Sequence, residues 1–109
     1  MKLLIAGSRS IREYDLSPYI PHAVDTIISG GAEGIDRLAE AYADEHKLSK
    51  YVIRPQYARY GRAAPLKRNQ AMVDMADAVL VIWDGQSKGS KFTVAYAQKQ
   101  NKPLLLIQI

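Results

Sequence analysis

Three short segments carry residues suited to holding a phosphate: Gly7-Ser8-Arg9, Ser29-Gly30-Gly31-Ala32-Glu33-Gly34-Ile35-Asp36 and Asp84-Gly85-Gln86-Ser87-Lys88-Gly89-Ser90. Each follows an apolar run, and the last two lead into helical patterns. Glycine gives the backbone access to positive φ and lets a ligand approach the main chain closely. The first N–H groups of a helix have no intrahelical acceptor, and the helix dipole is positive there, so such loops are natural anion sites. A lone Gly-Gly usually marks only a tight turn. Two Gly/Ser loops opening helices of one sheet favour a phosphate pocket. The candidate ligand-binding residues are therefore Gly7, Ser8, Arg9, Ser29, Gly30, Gly31, Ala32, Gly34, Asp84, Gly85, Ser87, Gly89 and Ser90.

Further polar side chains extend the set. Asp36 falls in the first turn of its helix. There it is either a dipole-favoured acid, worth about 0.3–1 kcal/mol, or a partner for a ribose hydroxyl or for Arg9. Asn69, Met72, Val73 and Ala76 stand at i, i+3, i+4 and i+7, so Asn69 shares the apolar face of its helix. A buried amide costs about 1–3 kcal/mol unless paired, so Asn69 must tie a loop, meet a ligand, or both. Arg68 beside it can offer phosphate a bidentate fork. His22 and His46 lie in different segments without matching carboxylates, and no metal site is expected. Tyr57 and Tyr60 flank Arg59 in an expected irregular loop. They suit either base stacking or, as we favour, covering the edge of the core.

These residues need a scaffold, and the apolar runs describe one. Strands are expected at Leu3–Ala6, Asp25–Ser29, Tyr51–Arg54, Ala78–Trp83 and Leu104–Ile109. Ile35, Leu38, Ala39, Tyr42, Ala43 and His46 follow a helical period. Pro65 suits the start of a helix running to Ala76, and Ser90–Lys99 reads as the last helix. Ser17-Pro18 fits only a short helical turn. Alternating strands and helices imply parallel strands joined by right-handed crossovers. The fold class is thus α/β: a Rossmann-like, doubly wound, five-stranded parallel sheet in a three-layer α/β/α arrangement, a single domain over residues 1–109. In such sheets the ligand sits outside the carboxyl ends of the strands, where strand order reverses.

The bulk properties narrow the class. A chain of 109 residues matches one domain, and the absence of cysteine excludes disulfides and thiolate metal sites. No apolar run approaches the roughly 20 residues that span a bilayer. The opening residues do not read as a signal peptide, so no membrane association and a cytoplasmic location are expected. Between His46 and Val73 lie Lys47, Lys50, Arg54, Arg59, Arg62, Lys67 and Arg68 with no Asp or Glu, within a net charge of +4. Such a stretch is either a solvated basic face or a surface for an anionic partner. Leu104–Ile109, if a sheet edge, predicts a homodimer or higher oligomer.

The order and spacing of these motifs resemble a known family. Gly7-Ser8-Arg9 with Asp15, Ser29-Gly30-Gly31-Ala32 with Gly34 and Asp36, Arg68-Asn69 with Met72, and Trp83-Asp84-Gly85 with Ser87, Gly89 and Ser90 look like the YspA-like branch of the SLOG superfamily. That superfamily includes the LOG phosphoribohydrolases and the Rossmann-like domain of the DNA-processing protein DprA. The resemblance runs from Leu3 to Pro103 and implies a domain that senses or processes nucleotide-derived ligands. The chain departs from the pattern in the last loop, where Gly89-Ser90 stands for the usual Gly-Thr and the glycine pair of LOG enzymes is absent, and at two further places. Ala63-Ala64-Pro65 stands for the usual Ala-Gly-Pro, and Thr93 stands where LOG enzymes carry a catalytic Glu.

Three functions follow as expectations. The first is binding of a nucleotide-like phosphate ligand, with no other cofactor. The second is cleavage of a base from a nucleoside 5′-monophosphate, for which Asp84 and Asp36 are the candidate acids. The third, ranked last because +4 is modest, is single-stranded nucleic-acid binding, which would weaken steeply with salt.

Overall fold

A computed structural model describes all residues, Met1–Ile109. Five strands form one sheet: β1 (Lys2–Gly7), β2 (Thr26–Ser29), β3 (Ser49–Val52), β4 (Ala78–Trp83) and β5 (Leu104–Gln108). The order is β3-β2-β1-β4-β5, and every pairing is parallel. The helices are α1 (Ile35–Glu45), the single turn α2 (Tyr57–Tyr60), α3 (Ala64–Met75) and α4 (Lys88–Lys99). One 3-10 turn, Ser17–Tyr19, interrupts the connection from β1 to β2. It forms because Pro18 fixes φ near the helical value and the Asp15 carboxylate accepts the Ser17 N–H at 3.0 Å. No helix is long and apolar enough to cross a membrane.

Central strands bury both faces, which is why their sequences are continuously apolar rather than alternating. On one side Leu3, Ile5, Ile27, Leu80 and Ile82 meet Ile35, Ala39 and Ala43 of α1, with Leu16 and Val24 closing that layer. On the other, Leu4, Ala6, Ile28, Val79 and Val81 meet Met72 and Val73 of α3 and Ala97 of α4. Each fully buried Leu, Ile or Val contributes about 1.5–3 kcal/mol of hydrophobic stabilisation. The two sets form the three-layer α/β/α arrangement. Register places Ile5 beside Leu80, and Gly7 beside Ile82. The carboxyl ends of β1 and β4 therefore open side by side. Strand order turns at this pair, because β2 and β3 lie on one side of it and β5 on the other.

Several boundaries differ from the sequence reading. β3 lies at Ser49–Val52, two residues before the expected run. It is an edge strand with Ser49, Lys50 and Tyr51 exposed, and polar residues are tolerated where one face and one edge meet water. Arg54 consequently falls beyond the strand. β2 starts at Thr26, one residue later than expected; the Asp25 carboxylate just before it accepts from the N-terminal ammonium at 3.1 Å. The segment holding Tyr57 and Tyr60 is a helical turn rather than an irregular loop. Both tyrosines are exposed, Tyr57 by 59%, so they do not cover the core edge. His46 lies past the end of α1 and is exposed. Its ring stacks on Tyr42 at 3.9 Å instead of joining the apolar face. α4 starts at Lys88, two residues earlier than expected.

Candidate functional site

A cleft of about 520 Å³ opens over the carboxyl ends of β1 and β4. That volume lies within the usual range of small-molecule sites, about 300–1,000 Å³. Of the residues singled out from sequence, Gly7, Arg9, Ala32, Asp36, Arg68, Asn69, Asp84, Ser87, Gly89 and Ser90 line it. Ala6, Ser10, Pro65, Leu66, Met72 and Thr93 complete the wall and were not among the candidates. Thr93 had a readable signal: Ser90, Thr93 and Ala97 stand at i, i+3 and i+7, and all three are buried on one face of α4.

The amino end of α4 is the most open donor group. Ser87 caps the helix with its backbone only, and its carbonyl accepts the Lys91 N–H. The N–H groups of Lys88, Gly89 and Ser90 find no acceptor in the protein. A Cβ placed on Gly89 would meet nothing nearer than Asn69 Nδ2, at 3.9 Å, so the main chain there is bare toward the cleft. Ser90 is 5% exposed, and its hydroxyl makes no hydrogen bond. The Ser87 hydroxyl is likewise buried and without a partner. Thr93 instead donates to the Gly89 carbonyl at 3.0 Å.

Asn69 answers the question its burial raised. Its Oδ1 accepts the Arg68 Nε–H at 2.8 Å, which turns Nδ2 toward the cleft with no protein acceptor. Arg68 does not offer the expected fork. Its Nη1 donates to the Gly30 carbonyl at 2.6 Å and to the Ile53 carbonyl at 3.4 Å. It thereby ties the loops after β2 and β3 to α3. Burial draws its pKa below the ordinary value, opposed by the nearby Asp36 carboxylate; a guanidinium stays charged regardless. Arg9 is the free cation: it is exposed and makes no hydrogen bond or ion pair.

The loop after β2 performs a different task from the one its glycines suggested. The Gly31 N–H is taken by Ser29 Oγ at 3.3 Å, and the Ala32 N–H by Asp36 Oδ2 at 3.1 Å. The first N–H of α1, from Ile35, goes to the Ser8 carbonyl at 3.4 Å. Amides spent in this way are closed to a phosphate. Ser29 is buried and donates to Glu40 at 2.8 Å, so it does not face the cleft. Ser8 is buried too, and its Oγ accepts the Asp84 N–H at 2.9 Å. Gly34 has φ +75°, and a Cβ there would strike the carbonyls of Ser8 and Arg9. It is the contact that sets the Arg9 loop rather than a ligand contact. Gly85 lies outside the cleft, beside Gln108. Gly30 and Gly31 line a smaller neighbouring cavity.

The two carboxylates differ in kind. Asp84 Oδ1 accepts the N–H groups of Gln86 (2.8 Å) and Ser87 (3.0 Å), and Oδ2 accepts the Ser10 hydroxyl (2.9 Å). The backbone donors, with Ser10, pull its pKa down to about 2. Such a group shapes the α4 entry loop, remains ionised, and is no proton donor at neutral pH. Asp36 is 7% exposed. Burial raises its pKa, against the Ala32 N–H and the charge of Arg68. No cluster of three or more His, Cys, Asp or Glu side chains is assembled anywhere in the fold. The cleft thus joins open main-chain donors, one free guanidinium and two unlike carboxylates at a turn in strand order. No protein-family model, curated protein or solved structure matches the chain.

Proposed function

We propose that the cleft binds the phosphate of a nucleotide or nucleotide-derived molecule. One observation carries the reading: the unpaired N–H groups at the start of α4 converge with the Ser90 hydroxyl, Asn69 Nδ2 and the free Arg9 guanidinium. Ser90 and Asn69 are buried, and a buried polar group left without a partner costs about 1–3 kcal/mol. An anion seated among them would offset that cost. Asp84 and Asp36 supply acceptors for ribose hydroxyls, and Leu66, Pro65 and Met72 form an apolar wall for a base. The resemblance to the YspA-like SLOG proteins points the same way. Such a ligand is found in the cytoplasm, which suits a cysteine-free chain. Titration calorimetry against nucleoside mono-, di- and cyclic phosphates should find at least one binder. Silence across that panel at millimolar concentration would refute the proposal.

A second reading, hydrolysis of the base–ribose bond, is favoured by one observation. Asp36 is a cleft carboxyl whose pKa is raised by burial, as a general acid requires. Release of free base, lost in Asp36→Asn, is the expected result. Intact nucleotide after overnight incubation would count against it.

For the outer edge we propose pairing with a second copy. β5 is the last strand of the sheet, its segment Leu104–Ile109 has no charged side chain, and Leu105, Leu106 and Ile109 are exposed. Unpaired apolar edges of this kind template a further strand, and a two-fold axis would match the same residues against themselves.

A further inference from the structure

The smaller cavity, about 300 Å³, lies beside the phosphate cleft over the carboxyl ends of β2 and β3. The two share Arg9, Ala32 and Arg68 as a common wall. Three guanidinium groups line the smaller cavity, from Arg9, Arg54 and Arg68, and no carboxylate lines it. Their hydrogen-bonding capacity is mostly unspent. Arg54 makes a single bond, Nη1 to the Gly31 carbonyl at 3.3 Å. Arg68 leaves Nη2 free. Arg9 has no partner at all and faces both cavities. Gathering three like charges raises their mutual repulsion; the neighbouring Asp36 carboxylate offsets part of it, and an anion in the cavity would offset more. Tyr57, at 59% exposure, stands at the rim with its ring available for stacking.

Resting on the phosphate reading above, we infer that the natural ligand carries two phosphoryl groups, one on the α4 amides and one among Arg9, Arg54 and Arg68, with Arg9 between them. The chemical class is a nucleoside diphosphate, a nucleoside bisphosphate or a dinucleotide. A longer strand fits less well. Asp84, held ionised, closes the β4 end of the trench, so a chain of phosphates continuing past it would run against a carboxylate.

The test compares affinities measured by calorimetry for four ribonucleotide sets: 5′-monophosphates, 5′-diphosphates, 3′,5′-bisphosphates and 5′-phosphorylated dinucleotides, with a short single-stranded oligonucleotide as a further arm. At least one two-phosphoryl ligand should bind about tenfold or more tighter than its monophosphate, as an added charge-assisted contact allows. The variant Arg54→Gln/Tyr57→Ala should bring that ligand down to the affinity of the monophosphate. Both residues are exposed, so an unchanged melting curve verifies that the fold persists. Equal affinity for one- and two-phosphoryl ligands would overturn the inference while leaving the phosphate site standing. An advantage that survives in the double variant would do the same. Tightest binding to the oligonucleotide would replace it with a nucleic-acid surface. Failure of every nucleotide to bind would overturn this inference and the phosphate site together.

Discussion

Arg9 has no partner in the protein, and this gives it a simple signature. Replacing it with alanine should weaken phosphate binding by about 1.5–3 kcal/mol, the usual worth of a charged hydrogen bond, and leave the melting temperature unchanged. A fall in stability without a fall in affinity would assign Arg9 to the scaffold. Asp36 gives a pH signature. Its pKa is raised in the fold above the unfolded value near 3.8, so the folded state holds the proton more tightly. The contribution of Asp36 to stability should be fully present below the unfolded pKa and be lost as pH rises through the folded one, against the opposite trend of the depressed Asp84. Asp36→Asn should flatten that decline, as urea denaturation across the acid-to-neutral range would record. Both residues were readable as candidates. Arg68 was read as a phosphate fork and is a brace, because a guanidinium's partners depend on which carbonyls the fold brings to it.

Among the elements, the entry to α4 and the loop before α1 make opposite predictions. Gly89 lies where a Cβ meets open space. Gly89→Asp puts a negative group in the first turn, where the dipole favours it by about 0.3–1 kcal/mol. The variant should fold at least as well as the parent and bind no phosphate. Gly34 has φ +75° and abuts the Ser8 and Arg9 carbonyls. Gly34→Ala should cost at least about 1–3 kcal/mol and lower the denaturation midpoint, and a midpoint equal to the parent's would contradict this account. The sequence marks both loops with the same residue types. What separates them is which amides are spent: Ser29 and Asp36 take those of Gly31 and Ala32 in one loop, while Asp84 takes those of Gln86 and Ser87 in the other and leaves Lys88, Gly89 and Ser90 free.

At the scale of the molecule, the trench crosses four strand ends, from Asp84 after β4 to Arg54 after β3. Residues far apart in sequence meet there because strand order reverses between β1 and β4. The outer edge of β5 carries the remaining prediction. If two copies pair along it, Leu105→Lys/Leu106→Lys should shift sedimentation from dimer to monomer, since inserted charge blunts an edge strand. Both side chains are already exposed, so the monomer should stay folded. A parent chain that sediments as a monomer at tens of micromolar would dismiss the edge pairing.

Apolar runs such as Ala78–Trp83 and the helical period from Ile35 determined the α/β class, the parallel sheet and its helices, because burial on two faces leaves a mark on every residue of a strand. The same runs, followed by Gly/Ser loops, placed the polar candidate residues at strand ends. Tertiary structure alone decided which loop amides stay free. A hydrogen bond between Ala32 and Asp36, or between Ile35 and Ser8, depends on distances that no local pattern encodes. It also decided that Arg54 falls outside β3 and joins Arg9 and Arg68 around one cavity, because an edge strand is bounded by its neighbour's register and not by its own apolarity.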